Sequence, residues 1–127
     1  MADKEKNVDW VNKRDSCRHD AVFKLVVDRV KQDVERMNAT QTAKRENCHF
    51  KVEEMSCKEF RVYGGSRSSV FIEKGEKTIE VTNGQKRSFT INHEWNLDKA
   101  RCELKVGDEK LHLWQISQRA LHKLFFG

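Results

Sequence analysis

Residues 34–53 read VERMNATQTAKRENCHFKVE, and the rhythm of the apolar residues changes inside them. Val34 and Met37 close a series in which Phe23, Val27, Val30, Val34 and Met37 step by four, three, four and three. Beyond the stretch's middle, Cys48, Phe50 and Val52 alternate with His49, Lys51 and Glu53. The first spacing follows the turn of a helix and the second the two-residue repeat of a strand. Between them residues 39–47, ATQTAKREN, are polar and aperiodic and read as a linker.

Upstream, residues 17–38 predict one amphipathic helix, because Val22 and Val26 widen the apolar stripe to the breadth of a core-facing surface. The other side runs Asp20, Lys24, Asp28, Lys31, Glu35, alternating in sign at helical spacing, as a solvated face does. Ser16 or Asp15 is the expected cap. Trp10 and Val11 mark a preceding turn or short helix, and residues 1–15 are expected to be flexible or loosely ordered.

Downstream the period stays at two. Strands are predicted near 48–55, 58–63, 69–74, 77–82, 86–95 and 100–106. Phe60, Val62, Val70, Ile72, Ile79, Val81, Phe89, Ile91, Cys102, Leu104 and Val106 share the inward parity. Gly64–Ser68, Gly75-Glu76, residues 96–99 and Gly107-Asp108 break the strands. Asn83-Gly84 suits a two-residue type I′ hairpin, since both residues tolerate positive φ. The last segment, residues 109–127, EKLHLWQISQRALHKLFFG, fits a seventh strand to Trp114 and then a helix capped by Ser117, or else one long helix.

The reading is a single α+β domain over 1–127. A long N-terminal helix packs on one face of an antiparallel six- to seven-stranded meander, and a short C-terminal helix follows. This layout is similar to the cystatin-like and helix-grip architectures, a likeness of arrangement that carries no residues across.

Composition fits a globular chain: 127 residues, 37% hydrophobic and 35% charged. The net charge of +5 is spread, with 11 Lys and Arg against 9 Asp and Glu in residues 1–47 and 14 against 11 in residues 48–127. There is thus no basic half to specify a polyanion. No apolar run is long enough to span a membrane. MADKEKNVDW lacks the apolar core of a secretory leader, so a cytoplasmic location and reduced thiols are expected. The sequon Asn38-Ala39-Thr40 is then irrelevant.

Candidate sites are few. In residues 92–96, NHEWN, His93 and Trp95 share parity with Phe89 and Ile91, whereas Glu94 points to the other face. A His–Glu dyad would need both side chains on one proton, so the motif reads as a strand end, with Trp95 closing the core and His93 at its rim. Cys17 with His19, and Cys48 with His49, bring two sulfurs and two imidazoles, but their spacing fits no zinc ribbon or finger, and no metal is expected. The loop GGSRSS, residues 64–69, lacks the spacing of a phosphate-binding loop and reads as a strand connection; no cofactor is expected.

Three functional expectations follow. The first is a non-enzymatic binding module working through protein contacts, with a partner or as a homodimer, through the apolar C-terminus at Phe125 and Phe126. The second is single-stranded nucleic-acid binding on the outer sheet face, where Tyr63 and Phe71 stand beside Arg61. Glu80, Glu94 and Glu103 on that face would repel phosphates. The third is a small-ligand pocket between the long helix and the sheet, with His93 as its inward polar group. No membrane contact is expected.

Overall fold

The computed structural model describes residues 8–45, 49–64, 69–84 and 86–127. Helix α1 spans Trp10–Asp15, α2 His19–Asn38 and α3 Gln41–Arg45. Strands follow at β1 Phe50–Ser56, β2 Glu59–Gly64, β3 Val70–Lys74, β4 Ile79–Asn83, β5 Lys86–Asn96, β6 Arg101–Val106 and β7 Glu109–Leu111, and helix α4 spans Leu113–Phe126. All seven strands form one sheet in chain order, each antiparallel to the next. The architecture is α+β, as the switch of period implies.

Helices α2 and α4 pack on each other and lie on one side of the sheet, α2 against β1 and β3, α4 against β3 and β4. Phe60, Ile79, Ile91 and Leu104 share one core with Val27 and Val34. Valine is a mediocre helix former, so α2 owes its stability to this buried stripe rather than to propensity. Six of its side chains, Val22, Phe23, Val26, Val27, Val30 and Val34, are buried. Among the described residues no helix is long and apolar enough to cross a membrane.

The elements differ from the sequence reading in several places. The short helix that Trp10 and Val11 suggest is present over Trp10–Asp15 and lies against β6. Asp9 caps it, its carboxylate accepting the Asn12 N–H at 3.1 Å. Ser16 therefore ends α1, its hydroxyl donating to the Lys13 carbonyl at 2.7 Å, and does not start α2. Helix α2 begins after Arg18, which makes no side-chain cap.

The linker 39–47 contains α3, started by Thr40, whose hydroxyl accepts the Ala43 N–H at 3.2 Å. Ala43, the small apolar residue in a polar run, is buried there. Asn83 stays in β4 and pairs with Lys86, so the predicted Asn83-Gly84 turn is displaced by one residue; of the two, Gly84 alone takes a positive φ, 70°. At the C-terminus β7 is only three residues long and α4 starts at Leu113, four residues before the expected cap. Gln115 accepts the His112 N–H at 2.8 Å and holds that start, which leaves Ser117 buried inside the helix and Trp114 on its surface.

The junction between the two halves of the chain is held by a side chain. Asn38 Nδ2 donates to the Phe50 carbonyl at 2.9 Å, and the Phe50 N–H donates to Asn38 Oδ1 at 2.9 Å. The last residue of α2 thereby imitates one rung of a ladder beside the first residue of β1. Gly64 pairs with Phe50 on the other side, and a Cβ there would stand 2.7 Å from the His49 carbonyl. Only glycine admits this approach without a shift of β1.

Candidate functional site

The ends of β5 and β6 bring together residues far apart in the chain. Register pairs His93 with Leu104 and Trp95 with Cys102 without a bulge, so His93, Trp95 and Cys102 face the helices as their parity requires. Glu94 pairs with Glu103 on the outer face. NHEWN is thus the end of a strand, and no His93–Glu94 dyad forms.

His93 instead meets His19, in the first turn of α2. The rings stack with centroids 5.1 Å apart, and His19 Nδ1 lies 2.9 Å from His93 Nε2. His19 Nε2 lies 2.7 Å from the Gly75 carbonyl. A carbonyl only accepts, so His19 Nε2 carries a proton; in the neutral ring Nδ1 then presents a lone pair, to which His93 donates its Nε2–H. Burial, and then the neighbouring His19 and Arg14, hold the His93 imidazole below the ordinary histidine range.

Cys17, in the turn between α1 and α2, reaches the same spot and is bonded to Cys102, with Cα atoms 5.3 Å apart. The expectation of reduced thiols is corrected here. The partners lie 85 residues apart, and no local spacing announced them. The sulfurs of Cys17 and Cys102 and a ring nitrogen of His93 all lie within 4.8 Å of one another. Of the residues weighed from the sequence, Cys17 belongs to this cluster and His19 adjoins it through His93; His93 and Cys102 joined it only through the strand register. Cys48, weighed with His49 and set aside as a metal pair, lies outside the described residues, and His49 is exposed.

The outer sheet face presents Arg61, Tyr63 and Phe71 as expected, but its charges are engaged. The Arg61 guanidinium lies 4.2 Å from the Tyr63 ring centroid and 3.0 Å from Glu53. Lys105 pairs with Glu94 at 2.9 Å, and Arg101 and Lys110 approach Glu103 at 3.6 and 3.3 Å. Glu103 is only 6% exposed, covered by the stems of these neighbours on an otherwise open face. Most of GGSRSS, residues 65–68, lies outside the described residues.

The gap between α2 and the middle of the sheet is filled: Val22, Val26, Val30, Val62, Val70 and Ile72 are all buried. His93 lines neither of the two clefts that open between α2 and the sheet. One, of about 410 Å³, opens at the side, between α2 and the β6–β7 hairpin, lined by Val22, Leu25, Cys102, Leu104, Leu111 and Leu113.

An apolar depression lies between α2 and α4. It measures about 380 Å³ and is lined by Arg29, Asp33, Trp114, Leu121, His122, Phe125 and Phe126, with Ser117 and Gln118. The C-terminal helix is docked, with Leu121 and Leu124 in the core and the Phe125 ring 4.9 Å from that of Phe50. Phe125 is therefore chiefly a packing residue. Phe126 is 68% exposed and Trp114, which sequence reasoning had placed at a strand end, is 49% exposed. A helix starting at Leu113 puts Trp114, Gln118, Leu121 and Phe125 on one face at steps of four, three and four, a period visible in the sequence once that start is known.

Comparison of the chain with protein-family models, with curated proteins and with solved structures finds no match.

Proposed function

We propose that the protein is a non-enzymatic binding module that takes an acidic, amphipathic helical segment of a protein partner in the groove between α2 and α4. The observation that carries this reading is the pair of half-exposed aromatics, Trp114 and Phe126, at the rim of an apolar depression. Such rings supply large contact area at small entropic cost and dominate protein interfaces. The charges define the partner. Helix α4 has no acidic residue, and the Asp33 carboxylate on α2 is shared by Arg29 at 3.1 Å and Arg36 at 2.9 Å, leaving net positive charge at the rim. A docked helix would place its own apolar stripe between Trp114 and Phe126 and its carboxylates toward these cations.

A cytoplasmic setting belongs to the same proposal. The exposed, unpaired Cys57 suits a reducing compartment, and the Cys17–Cys102 bond, which by itself favours an oxidising one, is on this reading a reversible one. The nucleic-acid reading has less support, because Arg61, Lys105, Arg101 and Lys110 on the sheet face already stand against carboxylates. The side cleft favours a second reading, a small apolar ligand. Its size is in the range of ligand sites, and replacing Leu25 by Trp at its mouth would abolish uptake of an apolar dye such as anilinonaphthalene sulfonate.

The principal test uses two synthetic helical peptides with the same leucine stripe, one with glutamates and one with lysines on the other face. The glutamate peptide binds, salt weakens it, and Trp114→Ala and Phe126→Ala each reduce affinity at least about tenfold. Equal binding of both peptides, or indifference to both substitutions, overturns the reading. A dimer dissolved by Trp114→Ala assigns the groove to a second copy of the chain.

A further inference from the structure

We propose that reduction of the Cys17–Cys102 bond converts the cluster at the end of the sheet into a site for one zinc-class divalent cation, held by the Cys17 and Cys102 thiolates, His93 Nε2 and His19 Nδ1. The inference is independent of the groove between the helices.

Four observations carry it. The donor set, two sulfurs and two imidazoles, is that of a closed tetrahedral zinc site. A ring nitrogen of His93 already lies within 4.8 Å of both sulfurs, which the bond itself holds together; ligands around zinc stand about 3.3 to 3.8 Å apart, so the freed sulfurs need only separate modestly. The fourth donor adjoins the third: His19 Nδ1 lies 2.9 Å from His93 Nε2, while His19 Nε2 is held by the Gly75 carbonyl at 2.7 Å, and His19 joins the sulfurs and His93 only once the site closes on the cation. That carbonyl contact is the outer-shell bond that metal-bound histidines require to fix tautomer and ring angle. Finally, the four residues come from rigid and separate elements, the turn before α2, its first turn, β5 and β6, and Cys17 is buried.

The bonded sulfurs cannot serve as thiolate ligands, so metal and disulfide exclude each other. A thiol reductant of the glutathione or thioredoxin class supplies two electrons and two protons to the sulfur pair and leaves as its own disulfide. The cation then displaces both thiol protons to solvent. The His93 proton moves from Nε2 to Nδ1, which frees the Nε2 lone pair. A small disulfide of the oxidised-glutathione class reverses this: it accepts the two electrons and leaves as two thiolates, the Cys17–Cys102 bond re-forms, and the cation is released. The cluster is thus a redox-controlled cation site that joins α1, α2 and the sheet in either state.

Titration of the full chain with Co²⁺, with and without phosphine reduction, tests this. The reduced chain takes one equivalent and shows the visible bands of tetrahedral cobalt with a sulfur-to-cobalt band in the near ultraviolet. Zinc then displaces it, and the oxidised chain shows neither band. Cys57→Ser and Cys48→Ser keep the signal. Cys17→Ser abolishes it, and His93→Ala and His19→Ala weaken binding at least about tenfold. A reduced chain without these bands, a signal that survives oxidation, or one that leaves with Cys57 or Cys48 overturns the proposal. If Cys17→Ser does not fold by circular dichroism, the wild-type comparison between redox states and the His93→Ala variant, which keeps the bond, decide the matter.

Discussion

Asn38 and Phe50 exchange two hydrogen bonds, each 2.9 Å long, between the last residue of the long helix and the first residue of the sheet. The contact spans the chain's change of period and locks the order in which helix and strand meet. The Asn38 amide satisfies both backbone groups of Phe50 on the side where no strand lies.

Replacing Asn38 by Ala leaves the Phe50 N–H and carbonyl without these partners in a partly buried position. The expected cost is about 1–3 kcal/mol in urea unfolding. Asn38→Asp gives no rescue at neutral pH, since a carboxylate accepts from the N–H but repels the Phe50 carbonyl. A glycan at Asn38 would be incompatible with the same pair.

The Cys17–Cys102 bond closes a loop of 85 residues. Its opening in a metal-free, chelated buffer is expected to lower stability by about 2–4 kcal/mol, chiefly by releasing the unfolded chain. Denaturant curves of the oxidised and reduced protein check this. Overlapping midpoints would mean that the bond constrains little.

Phe60 is fully buried where β2 meets α2, while Leu97 is 85% exposed on the turn after β5. Phe60→Ala is expected to cost about 3–5 kcal/mol through lost burial and a cavity. Leu97→Ala should change stability by no more than about 0.5 kcal/mol. Comparable losses for the two would contradict a core on one side of the sheet.

Glu103 supplies the pH dependence. Burial pushes its carboxyl up, but hydrogen bonds from Lys110 and Asn96 and the charges of Lys110 and Arg101 outweigh burial and hold it below the ordinary glutamate range. A depressed folded value means that the charged form is the stabilising one. Its contribution is present above the ordinary value of about 4.3 and is lost as pH falls through the folded value. Glu103→Gln should lower the Tm at pH 7, with the gap to wild type closing in acid. A gap independent of pH would assign the effect to packing.

Much of the fold was legible because it rests on local periods. The spacing of Phe23, Val27, Val30 and Val34 places a helix, and alternation from Phe50 to Val106 places six strands and their inner faces. Element ends were less legible. The starts of α2 and α4 depend on backbone partners, Ser16 to Lys13 and His112 to Gln115, that compete with equally plausible caps nearby. Ala43 is buried in a short helix that a polar composition concealed. Of the site residues, Arg61 and Tyr63 were found on the right face, but their engagement with each other and with Glu53 depends on cross-strand register.

By itself the sequence determined the class of the fold, the order of its elements and which side of each strand is apolar, because these follow from side-chain direction along a regular backbone. Only the tertiary structure decided that Cys17 meets Cys102, that His19 meets His93, and that Trp114 stands at the rim of a groove. Those meetings join residues up to 85 positions apart, and a pairing over that distance is set by the packing of helix on sheet, which leaves no periodic trace in the chain.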